Sequence, residues 1–469
     1  MAEPTTVAEP TAVPARDSLR RTLCLLASVV FVAVAVGTPM RASYGARTTG
    51  DEPHYLLTAL SLAEDLDLDI ADERRDVRYL PFSESPPLIQ AEIGPDGRQV
   101  EPHDPLLPLV LAPAMAVGGW VLAKLVLAAI AAALAAITAA LAVRRLGVSV
   151  RVAAWTAGIA GASPPLSIYG TQVYPEIAAA LCVATGLWAV TGEASRRSTA
   201  LAAACVLALP WLSVKYAPVA AVLTVAALVR CLRDGSAGRW SAAALLAGLG
   251  IGGVLFLLAH RAWYGGWTAY ASGSHFTGGE LTVMGDPDYA GRARRITGLL
   301  VDRQFGLIPW QPAAVALVPA VAAWIRRRPP GFAVTLTVLA AGWSTATFVA
   351  LTMHGWWWPG RQVVVVLPAA VLVVAWWAER AGRTIRRVLF GLGLLGVLAH
   401  LALVIGVLAG RHTLIVDFDA TIDPVVRAIR PLLPDLRRPG AATSLLHAAW
   451  VVAFAGGGWW AWRREATHP

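Results

Sequence analysis

An all-α polytopic membrane protein, with about twelve transmembrane helices and a long first extracytoplasmic loop, is the fold class this sequence predicts. Three observations predict it. Of the 469 residues, 57% are hydrophobic and only 15% are charged, against about 25% charged in an ordinary soluble domain. Apolar runs of ~20 residues recur along the chain, the length a helix needs to cross a bilayer, and they are continuous rather than alternating, which disfavours a barrel. Arginines cluster in every second connection between these runs, which is the positive-inside bias of a multi-pass chain.

The same basic loops account for the net charge of +9. No basic patch with interleaved aromatics stands in a polar segment, so nucleic acid is not an expected partner. Cys24, Cys182, Cys205 and Cys231 show neither disulfide nor metal spacing and read as small apolar filler.

Taken in order, residues 1–20 form a polar cytoplasmic N-terminus, Pro- and Ala-rich and disordered over 1–15. Arg16, Arg20 and Arg21 then precede the run 23–37, an uncleaved signal anchor that leaves the N-terminus inside. Residues 41–104 are the first external loop. Within it, Tyr55, Leu56, Ala59, Leu60 and Ala63 have helical spacing, which predicts an amphipathic helix over 53–64 lying on the membrane surface. Ile93 to Arg98 reads as a tight turn. Residues 105–117 carry three prolines and are too short to span, so they predict a helix dipping into the leaflet.

Spans then follow at 120–143, 152–169, 174–191, 200–212, 216–229 and 242–263. A second external loop covers 264–305. Further spans are expected at 307–324, 332–353, 363–377 and 388–409. Residues 411–469 hold a third external segment, the last span at 442–462 and a short cytoplasmic tail. The module 21–410 is the expected catalytic unit, and no internal repeat is visible.

The candidate chemistry centres on Asp51 and Glu52, a carboxylate pair beside the membrane. Transfer of a group to a hydroxyl needs a base for the acceptor proton, and a carboxylate suits that role. His54 and His103 are placed to tune or assist it. Most external acids are solvated loop charge, and the acidic series Glu64, Asp65, Asp67, Asp69, Asp72, Glu73 and Asp76 reads as such a solvated face.

Tyr174 and Glu176 open a span, where a carboxylate is costly unless it meets a cavity or a partner. Lys215, with Tyr216 after it, either holds a lipid phosphate or snorkels. Asp302, Arg303 and Arg361 precede spans, and arginine can bind a departing phosphate bidentately. Trp356, Trp357 and Trp358 read as an interfacial aromatic belt. No pattern requires a cofactor. A divalent metal ion is compatible with the acidic pair, but Asp67 and Asp69 lie too far into the loop for an Asp-x-Asp metal motif at the end of the first span.

Gly50-Asp51-Glu52-Pro53-His54-Tyr55-Leu56, Tyr174-Pro175-Glu176 and Asp302-Arg303-Gln304-Phe305-Gly306-Leu307 resemble segments of the GT-C superfamily of membrane glycosyltransferases. The branch resembled includes protein O-mannosyltransferases and the lipid A aminoarabinose transferase. The resemblance implies a plasma-membrane enzyme with its active site outside. It implies a polyprenyl-phosphate-linked sugar as donor, membrane lipids as partners and Asp51 as the catalytic position with Glu52 beside it. The alternative is a lipid or sugar transporter. Against it, the ionisable groups gather at the outer face rather than at the midplane, and paired halves are absent.

Overall fold

The computed structural model describes residues 16–274, 279–280, 282, 285, 288–415, 421 and 423–467. The expected disordered stretch 1–15, part of the loop 264–305 and part of the segment 411–441 lie outside the described residues. Among the described residues the chain is helical, with isolated bridges such as Asp69–Val100 and Ala91–Gly273 and no strand.

The helices are α1 (Arg16–Ala35), α2 (Glu52–Glu64), α3 (Ala71–Arg75), α4 (Leu106–Leu146), α5 (Val150–Gly161), α6 (Leu166–Tyr169) and α7 (Glu176–Thr191). They continue with α8 (Arg196–Leu212), α9 (Ala217–Arg233), α10 (Gly235–Tyr264), α11 (Tyr289–Ala293) and α12 (Arg295–Val301). The last are α13 (Leu317–Arg327), α14 (Phe332–Ser344), α15 (Leu367–Arg380), α16 (Arg383–Leu408), α17 (Pro424–Ile429) and α18 (Ala441–Thr467).

Every expected span contains a helix. Eight segments among the described residues are long and apolar enough to cross a membrane. The other four expected spans hold shorter helices: α5, α7, α8 and α13, of 12, 16, 17 and 11 residues. Prolines explain much of the shortening, because each removes a backbone donor. Pro164 and Pro165 separate α5 from α6, and Pro312 opens a short 3-10 segment before α13.

The dipping helix and the second span form one element, α4. They are separated by Gly119, whose φ of 60° and ψ of −157° are open to glycine alone. The segment 361–380 containing α15 is 78% buried, whereas the α18 span is 11% buried. The bundle is therefore built around α15, with α18 at its periphery against α13.

Chain direction alternates so that the basic connections gather at one end. There Arg145 stacks on Trp188 at 4.5 Å, Arg230 donates to Ser198, Ser149 Oγ donates to Glu379 at 2.7 Å, and Arg327 meets Glu465 at 2.8 Å. The opposite end carries the first loop, the 213–216 turn, the segment after α10 and the approach to α15.

Two loop expectations need correction. The helix over 53–64 forms as α2, but it is buried from Glu52 to Ser61 instead of being one-sided. It packs on α4, and its polar side chains are met by Glu101 of the first loop and by the turn before α7. The acidic series is not a uniformly solvated face either. Asp67 accepts from Ser61 Oγ at 2.8 Å and from the Asp69 N–H at 2.9 Å. Asp69 accepts the N–H groups of Ala71 and Gln99 at 3.0 and 2.7 Å. The turn expected at Ile93 to Arg98 is present, closed by Gly94 N–H donating to Arg98 at 2.7 Å.

Candidate active site

Asp51 sits at the N-cap of α2, where an aspartate normally accepts an N–H from its own helix. Its side chain makes no such bond. It turns into a cavity of about 490 Å³ at the end of the bundle opposite the basic connections. One carboxylate oxygen accepts from Arg361 Nη2 at 2.9 Å, and the other accepts from Gln90 Nε2 at 3.1 Å.

Arg361 bridges two acids. Its Nε donates to Glu176 at 2.8 Å, and Lys215 Nζ donates to the same Glu176 oxygen at 2.7 Å. The guanidinium lies 4.0 Å from the Tyr174 ring centroid and 5.0 Å from that of Trp357. Glu176 is fully buried behind the cavity, so its carboxylate fixes both cations while they line the open space. Burying a carboxylate at a helix start is tolerable because two cations and the positive end of α7 meet it.

Local backbone sets this geometry. Gly50 takes φ of +57°, and a Cβ there would stand 2.6 Å from the Tyr174 hydroxyl and 3.1 Å from the Trp356 carbonyl. The glycine lets the chain pass between them. Tyr174 donates to the Thr49 carbonyl at 3.0 Å and accepts the Asp51 N–H at 3.3 Å.

Glu52, one residue later, points about 100° away around the helix and is fully buried. It accepts the N–H groups of Val173 and Thr49 at 2.8 and 3.2 Å and the Gln172 amide at 3.3 Å. Lys124 lies 4.0 Å off. The two acids of the pair therefore separate: Asp51 lines the cavity, and Glu52 ties α2 to the turn before α7.

The electrostatics follow. Burial alone would raise the Asp51 carboxyl. The Arg361 charge outweighs it, with His103 and the hydrogen bonds from Arg361 and Gln90, and holds Asp51 well below the usual carboxylate range. Burial raises Glu52, opposed by Lys124 and the N–H donors. His103 lines the cavity and stacks on Tyr55 with centroids 4.6 Å apart. Burial depresses it to about 4 against the pull of Asp51. His54 lies behind it, fully buried, with Nδ1 3.2 Å from Glu101.

Of the expected site residues, the structure brings Asp51, His103, Lys215 and Arg361 to one cavity, backed by Glu52, His54, Tyr174, Glu176 and Tyr216. It does not bring Asp302 or Arg303 there. Asp302 is fully buried and accepts the N–H groups of Phe305 at 2.7 Å and Leu436 at 3.0 Å. Arg303 Nε donates to the Leu433 carbonyl at 3.1 Å. Both fasten the end of α12 to the segment before α18.

The tryptophan reading is also corrected. Trp356 is exposed, but Trp358 is fully buried and Trp357 lines the cavity. Asp104 lies just before α4, whose N-cap is Pro105. It meets His260 Nε2 at 2.9 Å and accepts the Val214 N–H at 3.2 Å, directly before Lys215. Gln90 and His260 carried no signal in the sequence, because each meets its partner, Asp51 and Asp104, across a large separation in the chain. Lys124 left a trace, as a lysine within an apolar run.

No protein-family model and no curated relative matches the sequence. The fold is similar to that of ArnT from Cupriavidus metallidurans, in a crystal structure bound to undecaprenyl phosphate. The TM-score is 0.51, with 14% identity, over 97% of this chain and 78% of that one. At that identity the likeness is one of fold, and it is the polytopic fold that the GT-C resemblance implied.

Proposed function

We propose that the chain is a membrane glycosyltransferase that moves a sugar from a polyprenyl-phosphate donor to an acceptor hydroxyl in the cavity around Asp51. One observation carries this reading: the Asp51 carboxylate lines the cavity beside two basic side chains, Arg361 and Lys215, that are fixed from behind by one buried glutamate. The likeness to a fold whose crystal structure holds undecaprenyl phosphate supports a lipid phosphate as the anion these cations receive.

In the reaction, an Asp51 oxygen takes the acceptor proton as the acceptor oxygen attacks the anomeric carbon. The bond from that carbon to the phosphate oxygen breaks, and its electron pair leaves on the lipid phosphate. Negative charge grows there in the transition state, where Arg361 and Lys215 stabilise it. A base held strongly ionised by Arg361 is a weak one. An arriving phosphate competes for the guanidinium and so raises the basicity of Asp51 when donor is bound. Leu351, Val349 and Thr345 give the same cavity a largely apolar wall beside the charged floor, suited to the first units of a lipid chain.

The test is transfer from a panel of polyprenyl-phosphate sugars in nanodiscs, with wild type and Asp51→Asn. Turnover in the wild type, with donor binding but no turnover in Asp51→Asn, is expected. If neither protein binds any such donor, the reading fails and transport assays take its place.

A further inference from the structure

The acidic series of the first loop contains a cluster that the proposed transfer does not use. Asp65 is the C-cap of α2, and Asp72 and Glu73 stand in the first turn of α3. One carboxylate oxygen from each lies within 4.8 Å of the other two. Glu73 is only 3% exposed, and its Oε2 is buried with no N–H donor meeting it; burial and the neighbouring Asp72 carboxyl push the Glu73 carboxyl up to about 8. A buried carboxylate oxygen is costly unless a donor or a cation meets it.

The nearby arginines do not meet it. Arg78 forks onto Glu64 at 2.7 and 2.8 Å. Arg75 pairs with Asp76 at 3.3 Å. Arg74 donates to the Pro87 carbonyl at 2.7 Å and lies 3.9 Å from Glu101. Asp65 also places a negative charge at the negative end of the α2 dipole, the wrong sign for that position. A cation between the three carboxylates would resolve both mismatches.

We propose that Asp65, Asp72 and Glu73 bind one divalent cation, Ca²⁺ in preference to Mg²⁺. All three donors are hard oxygens. Their spread fits Ca²⁺, which accepts oxygens at about 2.3–2.6 Å in adaptable geometry, better than Mg²⁺, which demands about 2.0–2.1 Å in a near-ideal octahedron. Water completes the shell on the exposed Asp65 side.

The bound ion fastens the end of α2 to α3. The other end of α2 carries Asp51, and Arg74 of α3 holds the stretch of loop that leads to Gln90, the Asp51 partner. The ion thus braces the frame of the cavity. The site stands or falls independently of the transfer reaction.

The full-length protein in nanodiscs, stripped with a chelator, is titrated with Tb³⁺ as a spectroscopic probe and then with Ca²⁺ or Mg²⁺, and thermal unfolding is followed in parallel. One Tb³⁺ per chain is expected, displaced by Ca²⁺ at lower concentration than by Mg²⁺, with Ca²⁺ raising the unfolding midpoint. Glu73→Gln should weaken Tb³⁺ binding by about tenfold or more. Because Glu73 is buried, Asp65→Asn at the exposed edge is the second variant and should weaken it too. The site is overturned by a wild type whose midpoint ignores Ca²⁺, or by equal Tb³⁺ affinity in wild type and Asp65→Asn. Displacement by Mg²⁺ as readily as by Ca²⁺ overturns the preference.

Discussion

At the scale of single residues, Asp51 and Arg361 make the sharpest predictions. On the proposed reaction, removing the candidate base in Asp51→Asn should lower kcat by about 10²–10⁴-fold, the usual contribution of a positioned base, while lipid-phosphate binding persists. The pH dependence follows from the cause of the Asp51 shift. Its carboxyl lies below the usual range because Arg361 overcomes burial. The base is then ionised throughout the range above about pH 4, so kcat/KM for the wild type should show no acid limb from Asp51 there. In Arg361→Gln the burial penalty is opposed only by His103 and Gln90, and the carboxyl rises. Protonation then removes the base as pH falls, so an acid limb should appear at higher pH than in the wild type. A profile of kcat/KM that keeps its shape in Arg361→Gln would sink this account.

The same scale shows what was legible. Asp51, Lys215 and Arg361 stood out because charge beside an apolar run is costly without a purpose. Asp302 and Arg303 gave the same signal and serve a different purpose, since a carboxylate that caps a turn also resists substitution by an apolar residue. Only the fold separates them, through the N–H groups of Phe305 and Leu436.

At the scale of elements, apolar length was readable and partnership was not. The break between the dipping helix and the second span fell where Gly119 interrupts α4, because three prolines and a glycine pair mark it in the sequence. The burial of α2 was hidden, because Glu52 and His54 look like a solvated face until Val173 and Glu101 are seen to meet them. The Gly119 break can be tested directly. A Cβ there would meet no atom within 4 Å, so only the backbone conformation forbids a larger residue. Gly119→Ala should destabilise the protein by on the order of 1–3 kcal/mol, read as a lower midpoint in thermal or denaturant unfolding. An unchanged midpoint would mean that the break relaxes into a straight helix at no cost.

At the scale of the molecule, one asymmetry organises the rest. The arginine connections sit at one end of the bundle, and the Asp51 cavity sits at the other. Basic loops stay in the cytoplasm during insertion. The cavity should therefore open on the extracytoplasmic side, where a lipid-linked donor can enter from the outer leaflet. Cysteine labelling decides this. Cys24 is the exposed native cysteine and is first replaced by serine; Cys205 and Cys231 are buried and Cys182 is partly covered. Ser85 is exposed in the first loop, and Ala194 is exposed between α7 and α8 near Arg196. In intact cells a membrane-impermeant maleimide should label Ser85→Cys and spare Ala194→Cys, which should react only after permeabilisation. The reverse pattern would place Asp51 in the cytoplasm. Donor would then have to be drawn from the inner leaflet, and the arginine bias would have to be read as lipid binding instead of topology.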